Sequence, residues 1–83
     1  MPGSKSLRML YHAAFREAAG LGEETLHSNA ATAADLYDEV AARHGFDFER
    51  SLLRVAINDS LASWTAELKD GDTVAFLSLF AGG

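Results

Sequence analysis

Hydrophobic and polar positions alternate from Leu7 to Tyr11, with Leu7, Met9 and Tyr11 on one side and Arg8 and Leu10 on the other. A period of two belongs to a strand with one covered face, so the chain is expected to open on a strand. At Ala13 the period changes. Phe15, Ala18 and Ala19 recur at helical spacing, and Gly20 supplies a left-handed stop, which predicts a short helix over 13–19. Glu23–Ser28 reads as a second strand. The clearest helix is predicted over Ala33–His44. Ala33, Leu36, Tyr37, Val40 and Ala41 fall on one stripe, and Asp35, Asp38, Glu39, Ala42 and Arg43 face away from it. Thr32 is a good N-cap, Asp35 three residues on approximates a capping box, and Gly45 ends the helix. Glu39 and Arg43 are spaced for an ion pair on the exposed face.

Phe46, Phe48 and Leu52 are expected in a turn that packs beneath a sheet. Leu53–Asn58 alternates again, with Leu53, Val55 and Ile57 inward and Arg54 and Ala56 outward. Asn58-Asp59-Ser60 reads as a turn, Leu61-Ala62 as a very short returning strand, and Asp70-Gly71 as another turn. Thr73–Leu79 then reads as a long final strand. Short strands mixed with one dominant helix predict an α+β layer pair, one sheet with helix on one face. The last strand departs from that scheme. Val74 and Phe76 point toward the helix, while Thr73, Ala75, Leu77 and Leu79 point the other way. A sheet covered on one face should be polar on the second. Here the second face carries Leu77 and Leu79, followed by Phe80. Either the loop over 63–69, with Trp64, folds across them, or they form a partner surface.

Composition narrows the function classes. The chain has 83 residues, enough for one small domain, 1–83. It carries 7 bases against 12 acids, a net charge of −5, which argues against nucleic-acid binding. It suits a partner that presents a basic surface, although mild acidity also simply keeps a small protein in solution. No apolar run is long enough to cross a membrane, and residues 1–5 lack the apolar core of a signal peptide, so a cytoplasmic location is expected. There are no cysteines, which removes thiolate metal sites and cysteine nucleophiles. Reactive sulfur, if the chain carries any, cannot sit on a cysteine side chain.

The sequence closes on Phe80-Ala81-Gly82-Gly83. A carboxylate at the end of an extended arm can be activated as an acyl-adenylate and passed to an amine or a sulfur donor. Such an arm must thread a narrow channel in another protein. Glycine lacks a Cβ and lets the backbone approach closely, whereas bulky residues at 82 and 83 would block passage.

The stretch Leu68-Lys69-Asp70-Gly71-Asp72-Thr73-Val74-Ala75-Phe76-Leu77, closing on Ala81-Gly82-Gly83, resembles the C-terminal signature of the molybdopterin synthase small-subunit (MoaD) family. Tyr11-His12-Ala13-Ala14-Phe15-Arg16-Glu17-Ala18-Ala19-Gly20 resembles that family's first strand and helix, and Val55-Ala56-Ile57-Asn58 its third strand. The likeness spans Leu7 to Gly83. It implies a ubiquitin-like β-grasp fold with a Gly-Gly tail over about 80–83, and a sulfur carrier with no active site of its own. An adenylating enzyme would use ATP and magnesium to activate Gly83, and a sulfur donor would convert the adenylate to a thiocarboxylate. The tail, with Gly82 behind it, would then enter the large synthase subunit. There sulfur passes to cyclic pyranopterin monophosphate, within a heterotetramer. The family's interface maps onto His12, Leu61 and Leu77, and the apolar run Leu79, Phe80 and Ala81 continues it. No stably bound cofactor is implied. The family usually has two prolines before the tail, and this chain has Ser78-Leu79 there, then Phe80. A carrier for thiamine or cysteine synthesis, a lysine-conjugated modifier and a plain interaction module therefore stay open.

His12, His27 and His44 are too widely spaced for a metal-ligand pair. His12 reads as an edge residue that meets the partner, and His44 as a favourable charge at a helix C-terminus when protonated. Asp70 and Asp72 are accounted for by the turn at Gly71, and Trp64 and Phe48 by packing.

Overall fold

In a computed structural model of the chain, residues 4–78 are described. The elements follow in the order β1 (Lys5–Leu10), α1 (Ala13–Ala19), β2 (Glu23–Ser28), α2 (Ala33–His44), a 3₁₀ turn (Arg50–Leu52), β3 (Leu53–Ile57), β4 (Ser60–Ala62) and β5 (Thr73–Ser78). The five strands form one mixed sheet in the order β2-β1-β5-β3-β4. β1 pairs antiparallel with β2 and parallel with β5, and β3 pairs antiparallel with both β5 and β4. A mixed sheet with a parallel central pair and one long helix across it is the β-grasp arrangement that the resemblance implied.

The two helices match their sequence ranges because their stop signals act locally. Gly20 and Gly45 both take the left-handed conformation, φ 79° and 71°, which a Cβ would disfavour. Thr32 Oγ1 accepts the Asp35 amide at 3.3 Å, which is the forward half of the expected capping box. The Glu39–Arg43 expectation is corrected. Glu39 accepts the Ser28 hydroxyl at 2.6 Å, and Arg43 lies 3.9 Å from Glu24. Both side chains bridge from α2 to β2, because tertiary neighbours offer less exposed partners than the helix face does.

The core lies between α2 and the inner sheet face. Leu7, Met9, Leu26, Leu53, Val55, Val74 and Phe76 from the sheet meet Leu36, Tyr37 and Val40 from the helix. Phe76 is fully buried in it, with the rings of Phe15, Tyr37 and Trp64 at 6.1, 5.1 and 6.0 Å. Phe46 and Phe48 pack as expected. Leu52 does not: it is 41% exposed, because the 3₁₀ turn rotates it away from the core. The Asn58-Asp59 turn is left-handed at both residues, φ 53° and 70°, which suits the twist of a tight hairpin. Asn58 ties it to β5, its Nδ2 donating to Asp72 and its Oδ1 accepting from the Thr73 amide, each at 2.9 Å. The Asp72 carboxylate also accepts the Lys69 amide, and Asp70 accepts the Ser6 amide. The turn reading of both acids holds.

One buried polar cluster joins three elements. Glu24 on β2 accepts the Tyr11 hydroxyl and lies against His44 Nε2 at the end of α2, each at 2.5 Å. The ionised carboxylate has no proton to give, so the histidine nitrogen is the donor. Burial pushes the Glu24 carboxyl up, but hydrogen bonds from Tyr11 and His44, with the charge of Arg43, pull it net below its ordinary value of 4.5. Burial and the Glu24 carboxylate push the Tyr11 phenol well above the tyrosine range, so it stays a neutral donor. A carboxyl whose pKa falls on folding stabilises the native state fully above its unfolded value, and that stability is lost as pH falls through the folded value. Glu24→Gln is therefore expected to lower stability by about 1–3 kcal/mol at neutral pH. The gap from the parent should shrink as pH falls below 4.5. Urea titrations of both proteins across pH 7 to 3 check this, and a gap that widens in acid would contradict it.

Candidate docking face and carrier terminus

Strand parity and register build the candidate surface on the face away from α2. Leu10 on β1 is paired with Ala75 on β5, Ala75 with Ala56 on β3, and Ala56 with Leu61 on β4. These four lie on one row that crosses the sheet, and all four are apolar. Leu61 is 72% exposed, while Ala75, in the middle of the row, is 8% exposed. The next row carries Leu77, paired with Arg54. Two residues beyond the Leu10–Ala75 pair stand His12 and Leu77, His12 exposed and in extended backbone as the N-cap of α1. The structure thus places His12, Leu61 and Leu77 on one continuous face. It adds Leu10 and Ala56, which parity alone had put outward without saying what they adjoin.

The covering loop does not take this face. Trp64 packs on Tyr37 and Phe76, on the helix side of the sheet, and the Ala33 and Ala34 amides donate to the Ala66 and Trp64 carbonyls. Residues 64–66 therefore belong to the inner layer, and Leu61 and Leu77 keep their exposure. Leu79, Phe80, Ala81, Gly82 and Gly83 lie outside the described residues. Among the described residues no group of three His, Cys, Asp or Glu side chains could hold a metal ion, and no helix is long and apolar enough to cross a membrane.

Sheet order, the helix across one face and an apolar row on the second face define a ubiquitin-like β-grasp domain. The chain belongs to the ThiS family, whose pattern matches residues 9–83, and this is a family of ubiquitin-like sulfur carriers. No curated protein matches the chain. Among solved structures it is similar to a Pyrococcus furiosus protein assigned as molybdopterin converting factor subunit 1, with 30% identity and TM-score 0.74 over 89% of this chain and 97% of that one. It is also similar to a chain of the BexX/CysO complex of Amycolatopsis orientalis, with 27% identity and TM-score 0.66 over 93% and 99%. The SAMP1 protein of Haloferax volcanii shares the fold, with 22% identity and TM-score 0.75 over 94% and 99%.

Proposed function

We propose that this chain is the sulfur-carrying small subunit of molybdopterin synthase, with Gly83 as its working residue. The observation that carries the reading is the continuous family likeness through Gly83, joined to an apolar row across the outer sheet face that ends on the exposed Leu61. On a ubiquitin-activator-like enzyme, a Gly83 carboxylate oxygen attacks the α-phosphate of magnesium-bound ATP and releases pyrophosphate. Sulfide released by the donor then attacks the acyl carbon, the C–O bond to AMP breaks, and loss of AMP and a proton leaves a thiocarboxylate. The outer face seats the carrier on the large subunit, with His12, Leu61, Leu77, Leu79 and Phe80 at the contact. Ala81, Gly82 and Gly83 deliver the sulfur to cyclic pyranopterin monophosphate in that subunit. The carrier supplies the sulfur and its docking surface, and the large subunit supplies the catalytic groups, in a cytoplasmic heterotetramer. The chain itself binds no cofactor in this scheme.

Intact-mass spectrometry of the chain, expressed with its activating enzyme and sulfur donor, tests the reading. One oxygen is expected to be exchanged for sulfur, at Gly83, and the exchange should vanish when Gly83 is deleted. A plain carboxylate in the presence of active enzyme and donor would overturn the carrier reading. A thiocarboxylated chain that leaves cyclic pyranopterin monophosphate unchanged with a large subunit would move it to another sulfur pathway. The likeness to the BexX/CysO chain makes cysteine synthesis the second reading.

A further inference from the structure

Two of the arginines of this acidic chain gather in one cleft. Arg50, Arg54, Ser51, Trp64, Thr65 and Ala34 line a cleft of about 390 Å³. Two of the chain's 7 bases line it, and no acid does. Elsewhere Arg8 is paired with Glu23 and Arg43 faces Glu24, whereas among the described residues no carboxylate stands within ion-pair distance of Arg50 or Arg54. Both arginines are nonetheless held in place. The Arg50 guanidinium sits 5.5 Å from the centre of the Trp64 ring, and Arg54 Nη1 donates to the Leu53 carbonyl at 2.9 Å. A guanidinium fixed by its flat face or by one edge still offers N–H groups along its remaining edge, and little side-chain freedom is left to lose on binding.

We propose that this cleft is a docking site for an acidic segment of a protein partner, whose carboxylates pair with Arg50 and Arg54. Three observations favour that occupant. First, two guanidiniums lie in one cleft that no acid lines, so the cleft is locally complementary to carboxylates although the chain as a whole carries −5. Second, the cleft adjoins the apolar face, since Arg54 is paired with Leu77, and the ladder from β3 to β4 stops at the pair Val55–Ala62. Arg54 therefore links the cleft, whose Trp64 and Ala34 wall lies on the helix side, to the face that carries Leu77. Third, the nearby start of α2 offers no donors to a phosphate. The Ala33, Ala34 and Asp35 amides are engaged by the Ala66 and Trp64 carbonyls and the Thr32 hydroxyl. The proposal goes beyond the sulfur-carrier reading and does not need Gly83.

The test titrates the labelled full chain with a capped peptide of alternating glutamate and leucine. The side-chain N–H signals of Arg50, Arg54 and Trp64 are followed by nuclear magnetic resonance. A capped lysine-leucine peptide and inorganic phosphate serve as comparison probes. Saturable shifts confined to these groups, weakened at least tenfold in Arg50→Gln/Arg54→Gln and absent with the lysine peptide, are expected. Both arginines are exposed, so the double variant should fold, and an unchanged amide spectrum elsewhere verifies it. Absence of local shifts, or shifts that persist in the double variant, would overturn the proposal. Phosphate that saturates the same signals at equal concentration would overturn it too, in favour of an inorganic-anion site. Repeating the titration on a chain lacking Gly82 and Gly83 separates this outcome from that of the carrier chemistry.

Discussion

Phe76→Ala is expected to cost about 3–5 kcal/mol, enough to leave much of the protein unfolded at 37 °C. Phe76 is fully buried and meets rings from α1, from α2 and from the 64–66 segment. Removing it opens a cavity between elements that cannot collapse together, because β5 is held on both sides by β1 and β3. A domain of this size buries a modest share of its surface, so its total stability belongs at the low end of about 5–15 kcal/mol. Urea denaturation measures the loss directly. Leu52→Ala is the control: with Leu52 turned outward, the same measurement should move by no more than about 0.5 kcal/mol. A comparable loss at both positions would mean that burial does not set the cost at Phe76.

Leu61→Asp is expected to weaken binding to a purified large subunit by about 30-fold or more, with the unfolding midpoint little changed. Leu61 ends the apolar row across the outer face, far enough from the core that a charge there costs the free protein little. In the complex the same carboxylate would be taken out of water with no partner, which is the larger penalty. Leu77→Asp should act in the same direction. Because Leu77 is half-buried, part of its effect should appear as lost stability, and the two readouts separate the contributions. Calorimetric titration gives the affinity. Binding that tolerates both charges would move the docking surface off this face and would remove the structural support for the interface residues.

Phe76 and Leu77 both lie on β5, and β5 shows where sequence reasoning reached and where it stopped. Val74 and Phe76 were legible as inward and Leu77 as outward, because side-chain direction along a strand has a period of two and needs no tertiary knowledge. Parity could not say whether the outward residues were covered. That was decided by Trp64, whose ring settles on the Phe76 side of the sheet and leaves Leu61 exposed and Leu77 half-buried. Leu52 was misplaced for a related reason. An apolar residue just before a strand looks inward by pattern, and only the 3₁₀ turn shows that it points away.

Residue order is enough to set the local elements. The spans of both helices follow from an apolar stripe, the Thr32 cap and left-handed glycines, all of which act within a few residues. The ending on Gly82-Gly83 and the family likeness were equally readable, since they are properties of residue order alone. Tertiary structure alone decided what lies beside what. Leu10, Ala75, Ala56 and Leu61 come from four strands and become one row only through sheet register. Tyr11, Glu24 and His44 have no common spacing and meet only because β1, β2 and the end of α2 converge. Arg50 and Arg54 look like ordinary surface charges until the fold brings Trp64 beneath one and leaves both without a carboxylate among the described residues. Local conformation is set by steric and hydrogen-bond preferences of neighbouring residues, whereas these groupings depend on chain crossings that no short-range preference encodes.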